Sequence, residues 1–105
     1  MAFIMTNDDT FEKEIFGDND LKLVLFGASW CNPCQMFRPI VMEFSSENPD
    51  LKICGNDVDE AQKAAGYFGI SSVPTLVVVK GAKEVDRYVG LRSKEELYDI
   101  VNSFK

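Results

Sequence analysis

The sequence contains no histidine and only three cysteines in 105 residues. Without histidine the commonest neutral-pH base is missing, so any thiol chemistry must be activated in another way. Three cysteines are too few, and odd in number, for a disulfide scaffold; without histidine they also fall short of the four ligands of a metal site. Positive charge is scarce too, with 11 basic against 17 acidic residues and a net charge of −6, which argues against nucleic acid as a partner. Long hydrophobic runs are absent. "LKLVLFGA" and "TLVVV" fall far short of the roughly 20 residues that span a bilayer, so no membrane partner is expected. The start, "MAFIMTNDD", has neither a basic leader nor a small-residue cleavage site, and a soluble cytoplasmic protein is expected. Nor is there a repeat, a low-complexity tract or a Gly/Ser linker, so residues 1–105 read as one domain.

What is present alternates. Residues 2–6 suit a short edge strand, and "NDDTFEKEIF" opens a helix with Asp9 and Glu12 at capping-box spacing and Phe11 and Ile15 on one face, stopping near Gly17. Residues 21–28 form an almost unbroken apolar run, the mark of a strand covered on both faces. Met36, Phe37, Ile40, Val41 and Phe44 recur at helical spacing, which predicts a helix over 33–47 kinked at Pro39. "LKICGNDV" reads as a strand, and Ala61, Ala64, Ala65 and Phe68 mark a helical stripe that Asp59 and Glu60 are placed to cap. "PTLVVVK" and "KEVDRYVG" read as strands joined at Gly81, and Ser93 with Glu96 caps a last helix facing inward through Leu97, Ile100, Val101 and Phe104. The order β-α-β-α-β-α-β-β-α predicts an α/β sandwich, its parallel strands joined by crossover helices and ending in an antiparallel hairpin.

The chemistry concentrates in "ASWCNPCQM", residues 28–36, which follows the central strand. Ligands of open α/β sheets meet the protein beyond the carboxyl ends of the strands, where this segment lies. Two cysteines three apart at a helix start can approach disulfide distance, with Cys31 at the cap facing unpaired backbone N–H groups. Such donors favour a thiolate, an effect of about 0.3 to 2 kcal/mol against about 1.4 kcal/mol per pKa unit. Cys34, one turn in, keeps its proton longer because desolvation disfavours its charge. Cys31 is thus the expected attacking thiolate on a substrate disulfide, and Cys34 the thiol that releases the reduced product, with no bound cofactor. Cys54 is expected to be a buried, inert thiol.

Through "WCNPC" at 30–34, "VPT" at 73–75, Pro39, Gly90 and the element order, the chain resembles the thioredoxin family from end to end. The resemblance implies a thioredoxin fold with a mixed sheet of about five strands between about four helices. It implies protein disulfides as substrates and a thioredoxin-reductase-type partner as electron donor. It also makes Pro74 a cis-proline whose loop faces the disulfide, with Val73, Gly90 and Leu91 along a substrate groove; Trp30, beside the nucleophile, is expected to wall that groove rather than to be a packed surface aromatic. Asn32 and Pro33 lie between the cysteines, Asn32 in place of the usual glycine; it either hydrogen-bonds a neighbouring sulfur or backbone group or is an exposed helix-start residue.

The family's buried aspartate aligns with Leu25, its lysine partner with Gly55, and its other active-site tryptophan with Gly27, which predicts a more open groove. Cys34 is then expected to lack an internal base. Oxidase or isomerase action, and a binding module that hardly uses its dithiol, are the alternative functions.

Overall fold

The computed structural model describes residues 3–105. Five strands, β1 (Phe3–Met5), β2 (Lys22–Gly27), β3 (Lys52–Asp57), β4 (Thr75–Lys80) and β5 (Lys83–Val89), alternate with four helices, α1 (Phe11–Phe16), α2 (Asn32–Glu47), α3 (Gln62–Phe68) and α4 (Lys94–Ser103), in the expected order. Residue 2, expected to begin the first strand, lies outside the described residues. The strands form one sheet ordered β1-β3-β2-β4-β5.

One direction differs from the expectation. β1 and β2 run parallel to β3, but β4 runs antiparallel to β2 as well as to β5. α2 has 16 residues and spans about 24 Å, enough to carry the chain back along a six-residue strand of about 20 Å. α3 has seven residues and spans about 10 Å, and β4 begins at the carboxyl end of β2, where Thr75 pairs with Phe26, and runs back from there.

Side-chain alternation splits the core in two. Leu23 and Leu25 of β2 pack with Phe37, Val41 and Phe44 of α2 and Leu97, Ile100 and Val101 of α4. Val24 and Phe26 point the other way, onto Phe11 and Ile15 of α1 and Ala61, Ala64 and Phe68 around α3. The helical stripes were therefore mostly core, but Met36 is exposed and Ile40, Ala65 and Phe104 are only partly buried. α2 runs through Pro39, which lacks the N–H that would close one helical bond.

Two caps form differently from the sequence expectation. Thr10 caps α1 without a side-chain bond, while the Asn7 side-chain oxygen accepts from the N–H groups of Asp9 and Thr10 at 2.8 and 3.1 Å. An Asx turn two residues upstream thus replaces the Asp9–Glu12 box. At α3 neither Asp59 nor Glu60 caps; Asp8 Oδ1 accepts from Lys63 N at 2.7 Å and Ala64 N at 3.4 Å. That partner lies 55 residues away from Lys63, beyond the reach of a local pattern. The Ser93–Glu96 capping box of α4 is present in both directions. Gly81 and Ala82 both take positive φ, 65° and 61°, as a two-residue hairpin of matching twist requires.

Lys22, at the start of β2, is fully buried. Its ammonium donates to the Ile15 carbonyl at 2.9 Å and to Asp18 Oδ1, which satisfies a charge that would otherwise cost several kcal/mol to desolvate. The hydrogen bond from Lys22 holds the Asp18 carboxyl below its ordinary range. A depressed carboxylate contributes stability that is present above its unfolded pKa and lost as pH falls through the folded value. Thermal melts from pH 6 to pH 2 are expected to show this loss, about 0.5 to 1 kcal/mol for a partly exposed pair. Asp18→Asn should flatten that part of the acid limb; an unchanged slope would assign it to other carboxylates.

Candidate active site

The reversal of β4 assembles the site. Because β4 is antiparallel to β2, Thr75 pairs with Phe26, near the carboxyl end of β2, and Val89 of β5 pairs with Thr75. The segment after β2, the residue before β4 and the residue after β5 therefore meet. Pro74, joined to Val73 by a cis peptide bond, accepts the Gly90 N–H at 2.9 Å, and Gly90 has the φ of 94° that favours glycine.

Cys31 and Cys34 form a disulfide, their Cα atoms 5.3 Å apart. Cys31 is the N-cap of α2, with extended backbone, and its Sγ accepts the Cys34 N–H at 3.2 Å. Pro33 occupies the first turn, where its missing donor costs no helical bond, and no acidic residue in that turn opposes the positive helix end. The cap that the cysteine spacing predicts is therefore in place. Cys31 is 6% exposed, and its Sγ lies 3.7 Å from the Val73 carbonyl oxygen. Asn32 is exposed and makes no side-chain hydrogen bond among the described residues, so of its two expected readings the exposed helix-start residue holds.

Trp30 is 67% exposed, and its indole N–H donates to Asp59 Oδ2 at 2.9 Å. With Val58, Ile70, Ser71, Ser72 and Val73 it lines an open groove beside Cys31. The Trp30–Asp59 bond was not legible in advance, since 29 residues separate the partners and Asp59 read as a helix cap.

A second space lies behind the helix start. A cavity of about 150 Å³ is bounded by Cys34, Gly27, Leu25, Pro74, Arg38 and Asp57, among others, and shares no residue with the Trp30 groove. A side chain at Gly27 would begin 3.5 Å from the Cys34 sulfur. The space expected to open the groove at Gly27 therefore opens on Cys34 instead. At Gly55 a Cβ would stand 2.8 Å from the Phe3 ring and 2.9 Å from Met5 Sδ, so these two side chains occupy the place beside the glycine. Leu25 is buried and pairs in register with Gly55. Cys54 is fully buried, and burial pushes its thiol up to about 11, which leaves it protonated and inert at neutral pH.

Among the described residues no helix is long and apolar enough to cross a membrane, and no group of three or more His, Cys, Asp or Glu residues is placed to hold a metal ion.

The sequence model of the family described as Thioredoxin matches residues 2–103. The chain is 41% identical to the thioredoxin of Bacillus subtilis over 103 residues, covering 97% of each protein. It is 41% identical to the thioredoxin of Listeria monocytogenes, covering 92% of this chain and 93% of that one. It is 38% identical to the thioredoxin of Chlamydia muridarum, covering 93% and 94%. With a disulfide at the start of α2 and the five-stranded mixed sheet, these likenesses favour exchange chemistry over a fold kept for binding alone. The chain belongs to the thioredoxin family and is a thiol-disulfide oxidoreductase that reduces protein disulfides.

Proposed function

We propose that Cys31 is the attacking thiolate and Cys34 the resolving thiol of this reductase, within a single domain over residues 1–105. One observation carries the reading: Cys31 Sγ, at the cap of a 16-residue helix with no acid in its first turn, accepts the Cys34 N–H at 3.2 Å. Negative charge is stabilised at that sulfur in the reduced protein and in the transition state that expels it. Cys31 attacks a substrate disulfide, forming a mixed disulfide and releasing one substrate thiolate. Cys34 then attacks Cys31, releasing the second and closing the disulfide.

Trp30 and Val73 wall the groove, while Pro74 and Gly90 hold the loop that meets the substrate backbone; Asn32 and Pro33 set the first turn of α2. The paired cysteines are the redox group, and the reaction balances without a bound cofactor. Substrates are disulfide-bonded proteins, and a reductase of the thioredoxin-reductase type returns the electrons. A reducing compartment such as the cytoplasm suits that direction.

Cys34→Ser tests the assignment. Mixed with a disulfide-bonded protein, the variant is expected to accumulate a covalent complex through Cys31, stable for at least about a hundredfold longer than the wild-type intermediate. Peptide mapping that places the bond elsewhere, or no complex, would overturn the roles.

A further inference from the structure

The cavity behind α2 is separate from the groove, yet it reaches the same disulfide. Cys34 lines it; Cys31, 6% exposed, does not. Its volume, about 150 Å³, is that of a cavity that accommodates a molecule as large as benzene. One wall is Gly27, whose missing side chain leaves the Cys34 sulfur uncovered on that side. Another is Arg38, one helical turn beyond Cys34 on α2. Its guanidinium enters no ion pair among the described residues, and its one hydrogen bond among them is to Met5 Sδ at 4.0 Å. Asp57, the only carboxylate on the lining among the described residues, sits at the end of β3 and already accepts the Asp59 N–H through Oδ1. The helix side of the cavity thus offers an uncommitted cation next to an accessible sulfur.

We propose that this cavity admits a small thiol bearing a carboxylate, which reduces the disulfide by attacking Cys34. The inference rests on Cys31–Cys34 exchange as the protein's chemistry. Arg38 meets the carboxylate and the thiolate faces Cys34 Sγ. A bond forms between the two sulfurs, the Cys31–Cys34 bond breaks, and the electron pair leaves on Cys31. That direction is the favoured one, because Cys31 Sγ already accepts the Cys34 N–H, which stabilises the negative charge of the departing sulfur. A second molecule of the thiol attacks the sulfur of the first, giving the small disulfide and a Cys34 thiolate that takes a proton from water. In balance, two small thiols are oxidised to one disulfide and the protein disulfide is reduced to two thiols. The protein thereby acquires an electron source that does not compete with protein substrates for the Trp30 groove.

The test compares 3-mercaptopropionate, 2-mercaptoethanol and cysteamine, at equal thiolate concentration, as reductants of the oxidised full-length protein, followed by acid quench and quantitation of the freed protein thiols. The net charge of −6 alone would make cationic cysteamine fastest and the anionic thiol slowest. The proposal expects 3-mercaptopropionate to be fastest, and Arg38→Gln to reduce its advantage over 2-mercaptoethanol by about threefold, the size of one partly solvated charge contact. Gly27→Trp should slow 3-mercaptopropionate by at least about tenfold through loss of the aligned approach, and leave reduction by glutathione, too large for the cavity, unchanged. Arg38→Gln, at an exposed position, keeps the test decisive if Gly27→Trp does not fold. Reaction of the single thiol of Cys31→Ser,Cys54→Ser with the disulfide of 3-mercaptopropionate should likewise fall on adding Arg38→Gln. A cysteamine-first order, or rates indifferent to Arg38, overturns the proposal. Reduction of a protein disulfide, assayed alongside, separates the two readings: if it proceeds while the thiol order fails, only the cavity proposal falls.

Discussion

Replacing Cys31 by serine is expected to lower the rate of protein-disulfide reduction by at least about a thousandfold, a loss typical of removing a nucleophile. A hydroxyl ionises far above neutral pH and cannot form the disulfide that transfers two electrons, so the remaining cysteine has no partner to close against. The fold should survive, because the residue is an N-cap and serine is among the favoured residues there, accepting the Cys34 N–H as the sulfur does. Loss of activity at the thermal stability of the reduced wild-type protein is therefore the expected pair of results, since the variant cannot form the cross-link of the oxidised one; they are read by reduction of a disulfide-bonded protein and by melting. The pair also separates exchange from binding. A variant that keeps the protein's biological activity would show that the groove around Trp30 and Val73 acts without its dithiol.

The parts of this site that were legible in the sequence are those held by local spacing. Cys31 and Cys34 stand on one turn, Ser93 and Glu96 cap their own helix, and the apolar stripes of α2 and α4, Met36 apart, pack on the core because a helix repeats every 3.6 residues. What escaped depends on contacts across the sheet. The direction of β4 is fixed by its pairing with β2, a contact across the sheet that the order of the elements does not record. Asp8 caps α3, and Asp59 holds Trp30, through bonds between segments whose proximity no local pattern records. The missing side chain at Gly27 was visible, but whether it widened the groove or bared Cys34 depended on where its Cβ would point. Arg38 carried a readable clue, its four-residue spacing from Cys34, which gains meaning only beside the cavity.

Introducing a carboxyl group at Leu25 is expected to have the second large effect, and in two opposing directions. Leu25 is buried among Leu23, Phe37, Leu76 and other core residues and also lines the cavity beside Cys34. Leu25→Asp removes apolar contact and buries a polar group, so the variant should lose about 2 to 4 kcal/mol of stability. Desolvation raises the new carboxyl's folded pKa above its unfolded value. The stability it retains is then full below the unfolded pKa and falls as pH rises toward the folded one, the reverse of the Asp18 dependence. Resolution should gain where stability is lost. A carboxylate at this position can take the Cys34 proton, for which the native cavity offers only Asp57, occupied by the Asp59 N–H, and general-base assistance is typically worth about a hundredfold or more. The lifetime of the mixed disulfide on Cys31, followed from pH 6 to pH 9 by acid quench, should shorten in Leu25→Asp, most where the new carboxyl is ionised and Cys34 still protonated. Asp57→Asn provides the comparison, with a lifetime close to that of the native protein. Equal lifetimes for native and Leu25→Asp proteins at every pH would mean that proton removal from Cys34 does not limit its attack, and that replacing the family's aspartate by leucine changed the packing around the thiol without changing its rate.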